Sequence, residues 1–598
     1  MTRKILILAI VLMLIALAGS AFAVDLVKTR PIPTRPLYIS GAEPVPAVVP
    51  YYPSSPSLIC SPGDTMGYTQ YDYQTNGSTG RRIVIDSQGG MHFDWMWSDQ
   101  YGVTRNIRYN CFGPSFPSPW PQEGVNVAYR AGSGYTTISV STDDRAVCAY
   151  HNAATGAESL YAAKDIFQCQ GTFFTGHPPN RISANKLVWP YVTVDRNNRI
   201  HVVATTTTTG MSYTYEPIGY SRSNNGGSTW TAIAPVDTTR TISAIVVSSK
   251  VSDKVAIVYC HPYLNDTTSG RNNIYYIQST DGTTWPWTSK TNITNYHRNN
   301  DSLYAYTEVS AVYDYNDDLH IVWNAQYVSG PVNSLGNGLG AMYYGRAHMY
   351  HWDATANSIS SFASFDSTWP SEGCDMGGWN FVYCKFSVSV NPTVGSQQVF
   401  VAYTSWDTSD CSNGGFANGD IYMQQSNDNG ATWLPRVNMT ASQSPLCDPG
   451  DCDSDNWSSL SEYTYNNSLH LFYVNDRDAG GLPQTEGTAT DNPMLYLAFP
   501  VSAVGDDISQ PKDFSLAQNY PNPFNARTNI DFELAKGSMV NLSVYDITGA
   551  KVSTLVNGKL DAGKHQVNWD ANGVASGVYF YTLKTNEAEV TKKMTLLK

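Results

Sequence analysis

The stretch YVTVDRNNRIHVVATT (191–206), followed by IGYSRSNNGGSTW (218–230), carries the pattern that decides the fold. Tyr191 to Asp195 reads as a short strand whose closing carboxylate can bond the backbone of the Asn197-Asn198 turn. Ile200 to Thr206 is nearly continuous in β-branched residues, as in a strand packed on both faces. A third strand, Ile218 to Ser223, runs into a polar turn with two glycines, and Trp230 opens a fourth strand.

The same strand–turn–strand phrase recurs between Arg82 and Tyr473, with turn centres at Gly89, Asp143, Asn197, Ser252, Asn316, Gly395 and Asn466. The intervals are 54, 54, 55, 64, 79 and 71 residues, and no helix-length amphipathic run interrupts them. An all-β unit repeated at this length predicts a β-propeller. The expectation is seven blades, with six as the alternative, over residues 59–504. The seventh repeat offers three strands, Ser461 to Tyr465, Leu469 to Val474 and Met494 to Phe499. An N-terminal strand over 66–73 (MGYTQYDY) is expected to supply the fourth and close the ring, removing free sheet edges.

Composition agrees with many short strands and turns: 40 Tyr, 15 Trp and 46 Gly, with 15% charged residues. A net charge of -13 argues against nucleic acid and anionic membrane as partners. Residues 1–23 read as a secretory signal peptide, with Arg3 and Lys4, an apolar run from Ile5 to Leu17 and an Ala-Phe-Ala site at 21–23. The apolar run is shorter than a membrane span needs, and no later segment could span. Residues 24–58 hold eight prolines and read as an extended, largely unpaired leader that drapes over the next domain. Ten cysteines in an exported chain favour disulfides over zinc, for which paired C-x-x-C knuckles are missing. Local pairing suggests Cys447 with Cys452, Cys374 with Cys384, and Cys148 with Cys169.

The turn before Trp230 recurs. Ser223, Asn225, Gly227 and Trp230 are matched by Ser426, Asp428, Gly430 and Trp433, and one residue shorter by Ser279, Asp281, Gly282 and Trp285. These residues resemble the Asp-box, or bacterial neuraminidase repeat, of sialidase-like propellers. The resemblance implies a structural role, because Asp-boxes in those proteins face away from the catalytic side. Sialidase catalysis would need an arginine cluster, an acid/base Asp and a Tyr activated by Glu. The Arg-Ile-Pro motif of that family is absent, Arg81-Arg82-Ile83-Val84 standing there instead, so no catalytic residue is assigned.

Residues 505–514 form a polar linker, after which short alternating strands (Val540 to Tyr545, Lys551 to Leu555, Lys564 to Trp569, Val578 to Leu583, Thr591 to Leu597) predict a small immunoglobulin-like β-sandwich over 515–598. The opening Asn519, Tyr520, Pro521, Asn522, Pro523, Phe524 and Asn525, with the later Val544-Tyr545-Asp546 and Gly577-Val578-Tyr579-Phe580-Tyr581, resembles the type A sorting domain of the type IX secretion system. The resemblance implies recognition by an outer-membrane translocon of a Gram-negative bacterium, removal of the domain, and release or attachment at the cell surface. A carbohydrate-binding sandwich that is never cleaved is the other reading of this segment.

Propeller ligands sit where loops converge on one rim, and here those loops are long and rich in aromatic, Asn and Gly residues. Trp95, Trp97, Tyr263, Trp323, Tyr327 and Trp406 are the candidate rings for stacking on an extracellular glycan or other polymer. Asp448, Asp451, Asp453 and Asp455 crowd a short loop, alternate carboxylates that would suit calcium. His92, His201, His320 and His470 share one position in the repeat; a packed histidine bonded to backbone is the plain reading and a metal ring the sharp one. The expected function is a binding protein, with a propeller glycoside hydrolase as the alternative.

Overall fold

The computed structural model describes residues 29–31, 51–52, 61–114, 124–128, 131–152, 159–182, 185–207, 216–239, 243–262, 271–296, 303–329, 341–365, 374–378, 380–503, 515–516, 519, 522, 524–534, 538–560, 563–585 and 589–597. The signal segment and most of the proline-rich leader lie outside these. The chain divides into two compact units, Met1–Gly505 and Asp506–Lys598. Both are all-β, and the described residues hold only single 3-10 turns beside strands. Among the described residues no helix is long and apolar enough to cross a membrane.

In the first unit the strands form a succession of four-stranded antiparallel modules. Sheet A holds Ile83–Ile85, Met91–Trp97, Asn106–Phe112 and Val125–Asn126. Sheet B follows with Ser133–Val140, Ala146–Asn152, Ser159–Asp165 and Phe173–Gly176, and sheet C with Asn185–Val194, Ile200–Thr207, Glu216–Ser223 and Ala234–Thr239. Sheet D (Ala244–Ser248, Val255–Pro262, Asn272–Ser279, Thr291–Asn292) and sheet E (Leu303–Tyr313, Leu319–Ser329, Ala341–Asp353, Ser358–Phe365) are joined by one pairing, Asn272 with Ala305. Sheet F contains Tyr383–Val390, Val399–Cys411, Ala417–Ser426 and Val437–Asn438. Sheet G takes Ser454–Leu460, Ser468–Asp476 and Asn492–Pro500 from the end of the unit and Asp64–Thr69 from its beginning.

Two boundaries read from the sequence are corrected here. The closing strand is Asp64–Thr69, not 66–73, and from Gln70 the chain leaves the sheet. The first strand of sheet G is Ser454–Leu460, while 461–465 form the turn after it; polar Asn456 and Ser458 concealed a strand that is buried throughout. The leader is also not wholly unpaired, since Thr29–Pro31 pairs with the start of Ala341–Asp353 and Tyr51–Tyr52 runs parallel to Ala489–Thr490.

The first strand of each sheet is an edge strand, and its free N–H groups must find partners or cost free energy. Small hydroxyl side chains on the neighbouring first strand accept them. Val194 N–H donates to Ser139 Oγ (3.0 Å), Val388 N–H to Ser310 Oγ (3.2 Å) and Leu460 N–H to Ser387 Oγ (2.8 Å). Thr193 and Ser248 hydroxyls meet at 2.8 Å, and Ile138 N–H donates to Arg81 O at 2.9 Å. The last sheet reaches the first in the same way, Arg82 N–H donating to Ser459 Oγ at 2.9 Å. The succession therefore closes on itself around a hub, which is the arrangement of a β-propeller. Thr137, Tyr191, Val246, Ala311, Val388 and Leu460 line the channel along that hub.

The shared histidine position is structural. Asp86, Asp195 and Asp314 each bind turn N–H groups with one oxygen, and His92 and His201 donate from Nε2 to the other oxygen of Asp86 and Asp195, at 3.1 and 3.0 Å. Tyr109 and Tyr220 hydroxyls then donate to His92 and His201 Nδ1, at 2.6 and 2.7 Å. His470 uses Tyr465 O and the Tyr496 hydroxyl, and His320 meets His351 Nε2 at 3.0 Å. Only His470 bonds backbone as expected of all four; the others are tied to side chains of their own sheet.

The disulfides correct two of the local pairings. Cys447 and Cys452 are bridged, with Cα atoms 5.0 Å apart. Cys169 pairs with Cys111 of sheet A, and Cys374 with Cys411, leaving Cys148 and Cys384 as buried thiols. The Cys111–Cys169 separation of 58 residues is about one repeat, so sheet stacking rather than sequence proximity selects the partner. Cys148 lies in the second strand of sheet B with its side chain in the apolar layer shared with sheet A. Cys60 lies outside the described residues.

In the second unit, Ser515–Leu516, Arg527–Leu534 and Gly563–Asp570 form one sheet, and Ser538–Tyr545, Lys551–Leu560, Gly577–Lys584 and Glu589–Leu596 the other. Ile530 and Phe532 from the first share a core with Leu542, Val544 and Tyr581 from the second. Asn519 N–H donates to the Tyr581 hydroxyl (2.8 Å), Asn522 Oδ1 accepts Thr595 N–H (2.9 Å), and Phe524 is buried against Trp569. Tyr520, Pro521 and Pro523 lie outside the described residues.

Truncating one hub serine orphans a buried N–H, a loss of about 1–3 kcal/mol. Ser387→Ala or Ser459→Ala is expected to lower the urea midpoint accordingly, while exposed Ser502→Ala should stay within about 0.5 kcal/mol.

Candidate functional site

At the end of the hub where the first strands begin, their pairing is broken by bulges. The register shifts between Gly134 and Thr137, Val188 and Tyr191, Cys384 and Ser387, and Asn456 and Ser459. Inside each bulge one bulky residue is left-handed: Tyr135 (φ 57°), Trp189 (51°), Lys385 (52°) and Trp457 (59°). Such residues cost about 1–2 kcal/mol each and persist only where packing over-determines them. Bulges re-aim side chains, and here the packing partner is the segment 70–80, QYDYQTNGSTG.

That segment has no regular structure yet is almost wholly buried, the reverse of an ordinary connecting loop. Its polar groups are paired. Gln74 donates to Tyr71 O and Met96 O (2.6 and 3.0 Å) and accepts Met96 N–H (2.9 Å), and Arg82 Nη2 donates to Gln74 O (2.7 Å). Ser78 Oγ accepts Val309 N–H at 2.9 Å, serving the hub edge of sheet E. The Tyr71 and Tyr135 hydroxyls meet at 3.1 Å. Segment 70–80 therefore caps the hub.

Beside this cap lies a small pocket walled by Asp72, Tyr73, Asn380, Trp406, Trp457 and Asp476. The Tyr73 and Trp457 rings meet edge-on at 4.9 Å. Lys385 Nζ sits 4.0 Å from the Trp457 ring centre and 3.5 Å from Glu308, both charges nearly buried. Burial pushes the Asp72 and Asp476 carboxyls up, and the charge of Asp478 beside both adds to it. Burial likewise raises Glu308 against the pull of Lys385, and raises the Tyr73 hydroxyl. The pocket thus combines mostly buried rings, amides and acids whose protons are held tightly.

Of the six candidate rings, Trp406 lines this pocket, with its Nε1–H donating to Cys384 Sγ at 3.4 Å. Trp95 and Trp323 are corrections: both are 0% exposed. Trp95 fills the space left by Gly67 and Gly124, and Trp323 packs on Tyr350. Trp97 is partly exposed with the Arg108 guanidinium 3.9 Å over its ring, and Tyr327 is partly exposed. Tyr263 lies outside the described residues.

The four loop aspartates are also drawn apart. Asp448 accepts Asn413 Nδ2 (2.8 Å) at the surface and Asp451 is exposed, whereas buried Asp453 pairs with Arg477, and buried Asp455 accepts Ser442 Oγ (2.6 Å) and Asn475 Nδ2 (3.0 Å). Three of the four buried arginines among the described residues are separately engaged as well: Arg82 with Gln74 O, Arg105 with Gly132 O, and Arg477 with Asp453 and Gly450 O. The pocket wall carries no arginine. The site residues missed in the sequence are Asp72, Tyr73, Lys385, Trp457 and Asp476; the paired acids of Asp476-Arg477-Asp478 at a strand end were the available signal.

The three Ser-x-Asp or Ser-x-Asn turns lie at the opposite end of the sheets. Asn225, Asp281 and Asp428 each accept turn N–H groups at 2.6–2.9 Å, Ser223 and Ser426 Oγ accept Gly227 and Gly430 N–H, and Ser279 Oγ donates to Asp281. Each tryptophan packs on the preceding sheet, Trp230 on the layer between sheets B and C, Trp285 on Tyr220, and Trp433 on Phe362. Gly430 has φ 81°, and a Cβ there would stand 2.1 Å from His351 Nδ1, so no other residue fits. Gly282 is left-handed too, at φ 65°.

Residues 518–596 match the secretion system C-terminal sorting domain. No curated protein matches the chain. Similar solved structures include an ulvan lyase of a new polysaccharide lyase family bound to -[GlcA(1-4)Rha3S]- (10% identity, 73% of this chain, 96% of that chain, TM-score 0.40). Others are a Penicillium chrysogenum α-L-arabinanase complexed with arabinobiose (10% identity, 62% of this chain, 94% of that chain, TM-score 0.37) and a Hadza microbial sialidase (12% identity, 67% of this chain, 74% of that chain, TM-score 0.32). The second unit is a sorting domain of the type IX secretion system, and the protein is exported, to be released or held at the outer surface.

Burial pushes Asp455 up to about 7, with the Asp420 charge adding to it. A raised carboxyl binds protons more tightly folded than unfolded, so its contribution is present at low pH and is lost as pH rises through about 4 to 7. Asp455→Asn is expected to flatten the fall of unfolding free energy across that window, measured by urea titration at successive pH values.

Proposed function

We propose that the exported chain is a seven-bladed β-propeller that binds an extracellular glycan or similar hydroxyl-rich polymer, with an immunoglobulin-like sandwich as its sorting tail. Four first strands come from sheets A to D and three from E to G, and the recurring turns before Trp230, Trp285 and Trp433 act as Asp-boxes that staple each blade to the one before it. The observation that carries the reading is the pocket beside the hub cap, where Tyr73, Trp406 and Trp457 stand with Asn380, Asn456 and two buried carboxyls. Rings supply faces for sugar C–H groups, and amides and acids supply hydroxyl partners.

Glycoside hydrolysis is the second reading, favoured by the Asp72 and Asp476 carboxyls, which burial pushes above the ordinary carboxylate range, since a carboxyl that keeps its proton is what a general acid needs. Binding is preferred because the pocket wall carries no arginine, and Arg82, Arg105 and Arg477 are committed to backbone and Asp453.

Affinity electrophoresis of the mature protein on a polysaccharide panel, with reducing ends assayed in parallel, separates the readings. Retention without release is expected, and Trp457→Ala should weaken retention about tenfold or more, the worth of a buried ring contact. Release that vanishes in Asp476→Asn would establish hydrolysis instead. Neither retention nor release on any polymer would overturn the glycan reading.

A further inference from the structure

The same pocket holds a buried polar atom that its walls do not satisfy. Asp72 Oδ2 accepts Leu482 N–H at 2.7 Å, but Asp72 Oδ1 is buried and has no partner, in a residue only 6% exposed. Asp476, also 6% exposed, accepts Asp478 N–H at 3.2 Å through Oδ1. Asp478 stands behind them with its Oδ2 on Thr488 N–H and Oγ1, both 2.7 Å. The nearby cations face elsewhere, Arg477 toward Asp453 and Gly450 O and Lys385 toward Glu308. Two buried carboxyls, Asp72 and Asp476, thus line one pocket, and one oxygen of Asp72 has no protein partner; burial favours a proton on each, and a cation would take that proton's place.

We infer that this pocket binds a divalent cation of the calcium type, with Asp72 and Asp476 as its carboxylate ligands. The remaining wall includes Asn380, Gly480 and Gly481, whose oxygens would complete the set, and it contains no histidine or cysteine; Ser454 Oγ and Asn456 Oδ1 already accept Gly419 and Trp457 N–H. Hard oxygen donors in an irregular, loop-built cage select calcium over zinc or copper, and calcium accepts six to eight such ligands. The unpartnered Asp72 oxygen is the group that a cation would complete.

The consequence concerns ring closure. Asp72 follows the closing strand Asp64–Thr69, and Asp476 ends the strand Ser468–Asp476 of the same sheet G. One cation would tie the beginning of the propeller to its end and add to folded-state stability in proportion to its occupancy. Its two carboxylate ligands are distinct from the four aspartates of 448–455, and it is measured without any polysaccharide, so its failure leaves the glycan reading untouched.

The test uses the mature protein stripped with chelator, and terbium as the probe, because Trp406 and Trp457 line the same pocket and can sensitise its emission. One equivalent of terbium is expected to luminesce on tryptophan excitation, to be displaced by calcium, and calcium is expected to raise the thermal midpoint. Asp72→Asn and Asp476→Asn should each weaken terbium binding about tenfold or more, and Asp448→Asn, in the exposed loop, should not. Should either pocket variant fail to fold, titration of the wild type decides: absence of both sensitised emission and a calcium-dependent midpoint overturns the inference. Full emission in Asp476→Asn, or its loss in Asp448→Asn, overturns it equally.

Discussion

Every sheet of the first unit presents an edge strand to the hub, and the fold depends on giving those edges partners. Backbone N–H groups of one first strand reach hydroxyl oxygens on the next, from Ser139, Ser310, Ser387 and Ser459. A larger side chain at these positions would hold the strands apart, and an apolar one would leave the N–H groups unpaired. The bond from Arg82 to Ser459 exists only because the N-terminal segment returns to sheet G, where Asp64–Thr69 pairs with Asn492–Pro500.

The residues just after the closing strand explain why the hub is capped at one end. Segment 70–80 satisfies its own backbone with Gln74 and lends Ser78 to the edge of sheet E, so it is part of the core although it forms no strand. The bulges that hold Tyr135, Lys385 and Trp457 in left-handed backbone turn those side chains onto the cap. Strain in the first strands, the buried cap and the acidic pocket are therefore one assembly. Its residues come from both ends of the first unit, so closure of the ring and completion of the pocket are coupled.

The repeat was legible because its turns need particular residues: Asp or Asn to bind N–H groups, Gly for positive φ. Those signals also marked the turns before Trp230, Trp285 and Trp433. The strand Ser454–Leu460 was not legible, because hub-facing serines and Asn456 make a buried strand look like a polar loop. Aromatic character near a loop does not by itself mark a binding ring, since Trp95 and Trp323 fill space between sheets. The pocket acids were missed because Asp72 and Asp476 are some 400 positions apart and meet only through closure, which no local pattern reports. Cysteine partners failed for a like reason: Cys111 and Cys169 are neighbours across stacked sheets. In the tail, Arg527–Leu534 was overlooked, although its alternation of apolar and polar residues was there to be read.

Hydrogen exchange followed by mass spectrometry on the intact mature protein tests the closure most directly. If residues 61–80 close and cap the ring, their amides exchange as slowly as those of Asn492–Pro500, with which the closing strand pairs. Exchange of 61–80 at the rate of an unprotected chain, while 492–500 stays protected, would contradict the account.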